Sequence, residues 1–322
     1  MRIRLAVRSV ISLLALSLAA CGGGGGGGGG PPPPPPETGI TVPLQAAGTT
    51  VSYPLNTSSA SISFNADGSV AGSALAAADT SGLNGTGKDS VVLTTDGDGF
   101  LTSVVFSIAG AGSTRFAVGF TAPFAQPASN LITGRSGFAS FVATNSGAGM
   151  SYSTYGAWTM VPNSGEFDFG SFAGGVMTPA SAIPTSGSAT YSGTAIGYGA
   201  TSVGAGSTTA TSFAFGASAG LTANFAGPAT GVSATFSNFY TALIVGSAPL
   251  PTIPTLTGVS TGFAASGGVN GYSGTLTSAD GSYSGHLNGA FFGPSANETA
   301  GTFNAANSAS HVLLTGGFGA VK

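Results

Sequence analysis

From Ser186 to the end, the chain is written in short alternating segments broken by glycine. SATYSGTAIG, TSFAFGAS, GLTANFAG, TGVSATFSNF, GVSTGFAAS, GYSGTLTS, GSYSGHLNGAFFG, GTFNA and HVLLTGGFG follow one another at short intervals. A period of two places successive side chains on opposite faces of a strand, so each segment can bury one face and wet the other. In GSYSGHLNG, for example, Ser282, Ser284 and His286 alternate with Tyr283, Gly285 and Leu287. Regular short strands with glycine turns predict an antiparallel barrel or sandwich. Upstream, Asp89–Ile108 (DSVVLTTDGDGFLTSVVFSI) reads as strand, tight turn, strand, because Asp-Gly pairs suit the positive φ angles of hairpin turns. No stretch longer than two turns combines a 3.6-residue period with helix caps. The fold class expected is therefore all-β: a handle-like domain of antiparallel strands, then a roughly eight-stranded antiparallel β-barrel.

Composition fits an exported protein. Charged residues make up only 5% of the chain, against about 25% in an average one. Serine, threonine and asparagine carry the polarity. The 42% hydrophobic content is enough for a core, and a net charge of −3 excludes a basic nucleic-acid footprint.

The N-terminus sets the address. Arg2, Arg4 and Arg8 precede an apolar run, Ser9 to Ala20, that is too short to span a bilayer as a helix. This is the pattern of a secretory signal peptide. Leu18-Ala19-Ala20-Cys21 resembles the bacterial lipobox, in which the cysteine takes a diacylglycerol thioether and an acylated amine. Cys21 is the only cysteine, so it has no partner for an internal disulfide. Gly22 stands where an aspartate tends to retain lipoproteins at the inner membrane, so the localisation expected is the outer membrane, lipid-anchored at the cell surface. Nine glycines and six prolines follow. They suit a tether: roughly 15–18 Å of flexible glycine chain and about 19 Å of polyproline II. The expected organisation is a signal peptide at 1–20, a lipidated tether at 21–37, the handle-like domain at 38–180 and the barrel domain at 184–322.

Three stretches carry a family resemblance: PTSGSATYSGTAIG (Pro184 to Gly197), LTANFAG (Leu221 to Gly227) and GAFFGPSANETAGTFNA with the closing GGFGAVK (within Gly289 to Lys322). The segment 184–322 resembles the barrel domain of transferrin-binding protein B, a family of Gram-negative surface lipoproteins. Phe291, Gly293, Pro294, Ala296, Glu298, Gly301 and Phe303 match the pattern G-x-F-Y-G-P-x-A-x-E-x-G-G-x-F, while Phe292 and Ala300 depart from it. The resemblance implies one handle-plus-barrel lobe, a lipid anchor, and non-covalent binding of an external protein or solute in iron or nutrient acquisition. It transfers no contact residue, because the binding loops do not match. Alternatives on the residues alone are a haem or small-solute carrier using His286 or His311, and a structural or adhesive envelope protein. The physical reading of the motif is a tight turn at Gly293-Pro294, Glu298 tied to backbone amides or a turn at the barrel end, and Phe291, Phe292 and Phe303 in a core.

Other fragments are outweighed by plainer readings. GLNGTGKD (Gly82 to Asp89) nearly fits a phosphate-binding loop, but Asp89 stands where Ser or Thr would hold Mg²⁺. GASAG (Gly216 to Gly220) fits G-x-S-x-G by composition alone. TTDGDGF resembles half a calcium loop, yet Ser107 stands where a bidentate Glu belongs. Trp158, Tyr152 and Tyr155 read as core at a domain corner. No catalytic residue, metal ligand or cofactor is expected, and the chain does not read as an enzyme.

Overall fold

The computed structural model describes residues 46–76, 89–109, 115–122, 125–128, 131–136, 139–144, 149–163, 165–226, 231–260 and 270–322. These residues contain eighteen strands and no α-helix; Ala180–Ala182 forms a single 3₁₀ turn. The all-β expectation holds.

Ten strands form the first sheet: β1 (Thr50–Phe64), β2 (Val70–Leu75), β3 (Ser90–Thr95), β4 (Leu101–Ala109), β5 (Arg115–Thr121), β6 (Ala125–Ala128), β7 (Leu131–Ser136), β8 (Ala139–Thr144), β9 (Ser153–Asn163) and β10 (Glu166–Gly175). Their order is β5-β4-β3-β1-β10-β9-β8-β7-β6, and every pairing is antiparallel. β1 is the organiser. One of its edges takes β10, and the other is shared by β3 near its start and β2 near its end. The sheet curls around Phe106, Phe120, Phe141, Trp158 and Phe172. Phe120 and Phe141 meet edge to face at 4.8 Å, and Phe106 and Phe141 at 5.3 Å. The Asp-Gly turn forms as expected. Asp96 Oδ1 accepts from the amides of Asp98 and Phe100, and Gly99 takes the positive φ of +86°.

The remaining strands close into an eight-stranded barrel: β11 (Ser188–Thr201), β12 (Thr211–Asn224), β13 (Gly231–Val245), β14 (Leu256–Ser260), β15 (Gly271–Ser278), β16 (Ser284–Phe292), β17 (Glu298–Asn307) and β18 (Val312–Val321). β11 closes on β18 from Ser192↔Val321 to Ala200↔Leu313. TSFAFGAS and GLTANFAG, read above as separate segments, are one continuous strand, β12. Gly216 does not break it, because the Tyr240 ring of β13 lies over that glycine and supplies the missing cover.

The barrel interior is filled. Phe213, Phe215, Phe236, Phe303, Phe318, Leu287 and Leu314 point inward and are fully buried or nearly so. Phe236 and Phe303 stack at 4.5 Å with 29° between their planes. The rings fit because glycines face them. A Cβ on Gly316 would lie 2.4 Å from Phe303, and one on Gly197 would lie 2.3 Å from Phe215. Alternation of large and small inward residues is how a small barrel fills its own lumen.

Removing the central ring tests this packing. Phe303→Ala is expected to destabilise the barrel by about 3–5 kcal/mol, the usual cost of deleting a buried phenylalanine. Denaturant unfolding of the variant beside the wild type measures it.

Candidate functional site

The two sheets meet face to face, and the family-like motif sits in the seam. β9 and β10 of the handle lie across β11, β17 and β18 of the barrel. Two apolar clusters bracket the contact. At one end Met150, Tyr155 and Ala173 pack on Ile196, Ala290, Phe292 and Ala300. At the other, Ala60, Ile62 and Phe169 pack on Ala200 and Leu313. Phe291 and Phe303 therefore face the barrel core as expected, whereas Phe292 faces outward and packs on the handle. Alternation along β16 dictates this, since neighbours in a strand point to opposite faces.

Glu298 is the pin. The residue is 3% exposed. Oε1 accepts from the amide of Ser151, and both oxygens accept from the amide of Tyr152 at 3.1 Å. Oε2 also accepts from Ser153 Oγ at 2.7 Å. The amides expected from the sequence are there, but they belong to the handle instead of the barrel end, because Glu298 begins β17 on its outward face. Charge-assisted bonds from several donors are what a buried carboxylate needs to offset desolvation.

Gly293 completes the latch. Its φ of +83° makes the turn after β16, and its N–H donates to the carbonyl of Val176. A Cβ there would strike the Tyr152 ring at 2.7 Å. Thr178 Oγ1 donates to the Gly293 carbonyl at 2.6 Å, and the Thr178 amide donates to Phe291 O. Asn270 Nδ2 donates to the carbonyls of Thr178 and Phe291. The connection between handle and barrel is thereby fastened to the end of β16. Tyr155 Oη and Thr194 Oγ1 form a further hydrogen bond across the seam.

The other sequence candidates fall elsewhere. Cys21 and the tether, and most of GLNGTGKD, lie outside the described residues. Asp89 is fully buried and accepts from Thr57 Oγ1, which leaves it no role at a phosphate. Ser218 of GASAG stands exposed in the middle of β12, with no strand-to-helix elbow. Trp158 is in the handle core, Tyr155 is buried in the seam, and Tyr152 covers Gly293. His286 is exposed on the outer wall of the barrel. His311 lies in the β17–β18 turn with a φ of +50°. Neither borders the packed interior, and no group of three His, Cys, Asp or Glu among the described residues could hold a metal ion.

One cavity of about 620 Å³ opens at the barrel mouth. Pro249, Leu250, Pro251 and Pro254 form one side, and Tyr283 and Val312 the other. Asp280 at its rim is already occupied: Ser278 Oγ and the Ser282 amide and hydroxyl donate to it and hold its carboxyl down at about 2.

Residues 183–322 match the family model described as C-lobe and N-lobe beta barrels of Tf-binding protein B. The barrel has a transferrin-binding protein B-like fold. Solved structures similar to the chain include transferrin binding protein B from Haemophilus parasuis (13% identity, 73% of this chain and 51% of that one, TM-score 0.39). Transferrin binding protein B from Neisseria meningitidis is another (15% identity, 73% of this chain and 50% of that one, TM-score 0.42). The N-lobe of lactoferrin binding protein B from Moraxella bovis is a third (12% identity, 52% of this chain and 76% of that one, TM-score 0.30). The match spans about half the length of the first two. No curated protein matches the chain.

The sequence did not reveal one buried acid, Asp168 on β10. It is 4% exposed, and no described donor reaches its Oδ1. Burial, and then the charge of Glu166, push its carboxyl up to about 6. A carboxyl raised above its unfolded value of about 3.9 contributes stability below that value and loses it as pH rises through about 6. Asp168→Asn is accordingly expected to be more stable than the wild type at pH 7.5, with the gap closing toward pH 4, in thermal melts across that range. Glu298→Ala, which strands the Ser151 and Tyr152 amides, is expected to cost about 2–3 kcal/mol. It should also speed limited proteolysis between Val176 and Gly187.

Proposed function

We propose that this chain is a lipid-anchored outer-membrane surface protein whose handle-and-barrel lobe captures an external protein, with a role in iron or nutrient acquisition. The observation that carries this reading is the family match of the barrel, whose motif residues Gly293 and Glu298 latch the handle onto it. The family whose model matches the barrel is described by the transferrin it binds, which supports capture over catalysis. Anchoring rests on Cys21 and its lipobox-like context. Two or more acyl chains hold a protein stably at a bilayer, where one alone does not.

Protein capture is favoured over a haem or small-solute carrier by the filled barrel and by the surface positions of His286 and His311. The outer walls and turns of the curled sheet and the closed barrel offer a surface to a protein. A structural or adhesive envelope role would need no ligand.

The test uses the detergent-solubilised full chain, immobilised and exposed to serum, haem and culture supernatant. Retention of transferrin or another single protein is the expected result. Retention of haem alone would move the function to a carrier, and retention of nothing would favour the envelope role. Cys21→Ser is expected to abolish palmitate labelling and to release the chain from the membrane fraction.

A further inference from the structure

The barrel carries one strand that outruns its neighbour. β12 pairs with β13 along its full length, as far as Ser212↔Val245. On the other edge, β14 pairs only from Ser233 to Phe236. Among the described residues, no strand pairs with that edge over residues 238–245.

The local sequence explains why the chain does not cover this edge itself. Gly246 turns with a φ of +120°. The amides of Ser247 and Ala248 then donate to Thr211 Oγ1 at 3.1 and 2.9 Å, which draws the chain toward β12. From there it crosses the barrel mouth, where Ile253 is buried in the core. Pro249, Pro251 and Pro254 lack the N–H a ladder needs. The strap is a plug and cannot act as another strand.

Among the described residues this edge is unguarded. Natural edge strands are usually blunted by charge, proline or shortness. Residues 239–245 read FYTALIV, with no charge, proline or glycine. Three of the five large hydrophobics exposed among the described residues lie here: Tyr240 at 37%, Leu243 at 48% and Val245 at 57%. An apolar, β-prone, uncharged segment on an open edge is a template for another strand.

We infer that residues 238–245 of β13 pair antiparallel with the same edge of a second copy of this chain. A two-fold axis normal to the sheet makes such an edge self-complementary, with each copy presenting the same donors, acceptors and apolar side chains. The absence of charge removes the repulsion that would forbid it. Recognition of a foreign strand draws its specificity from side-chain pockets beside the edge. The cavity at the barrel mouth lies under the strap and is lined by residues outside 238–245. The Asn238 turn into positive φ, at +55° within a register shift, marks where the pairing would end.

A photo-crosslinking phenylalanine analogue placed at Tyr240 tests this in the full chain, in membranes of the cells that express it. The expected product is an adduct of twice the chain mass. It should fall at least tenfold in the Leu243→Lys, Val245→Lys double variant, whose thermal melt checks that the lobe stays folded. Sedimentation of the detergent-solubilised wild type over a concentration series should show the same dimer. An adduct with a different protein, no adduct, equal self-adducts from the analogue at Ser284 on β16, or adducts that persist in the folded lysine variant would each overturn the pairing. If the lysine variant does not fold, a wild type that sediments as a monomer at every concentration would overturn it instead.

Discussion

The lobe depends on how closely two sheets can lie against each other. At the centre of the seam, β18 presents Gly317 to the handle. A Cβ there would fall 2.6 Å from the carbonyl oxygen of Gly156 and 2.9 Å from that of Phe172. Backbone therefore meets backbone, and the apolar clusters on either side come within packing distance. Glu298 and Gly293 can reach the handle only because this approach is so close. In most sheet packings interdigitating side chains set a spacing near 10 Å; here glycine, alanine, serine and threonine keep the contact thin.

That thinness has a polar side. Ser58 and Ser171 on the handle and Thr302 and Thr315 on the barrel are buried, and their hydroxyls have no partner among the described residues. They lie between the two apolar clusters. A buried hydroxyl without a partner costs free energy that the flanking burial must offset. The contact is thus held firmly at its ends and weakly at its middle, which places the burden of rigidity on the Glu298 pin and on the Tyr155–Thr194 bond.

Much of the fold was legible because strand alternation is local. The period of two in GSYSGHLNG assigns Tyr283 and Leu287 to the inside and Ser284 and His286 to the outside, as the structure has them. The Asp96–Gly99 turn is equally local, since its chemistry lies within five residues. What escaped the sequence is what depends on distant partners. The donors to Glu298 come from 145 to 147 residues away, and nothing near Glu298 names them. The join of TSFAFGAS to GLTANFAG depends on a tyrosine in the next strand. Asp168 looks like any surface acid between Phe167 and Phe169, until the handle folds over it. Among the described residues β13 outruns β14 because β14 is short, a difference in length that alternation does not encode.

The closure of β11 on β18 has a consequence for how such a chain comes into being. The first strand of the barrel waits for the last, so the barrel cannot shut before its C-terminal residues arrive. The handle, in turn, rests largely on β17 and β18. Contacts of such long sequence separation form slowly. A nascent chain would remain without its finished lobe until β18 had been made and had cleared any translocation channel, and a chain lacking β18 would have neither a sealed barrel nor a full seat for its handle.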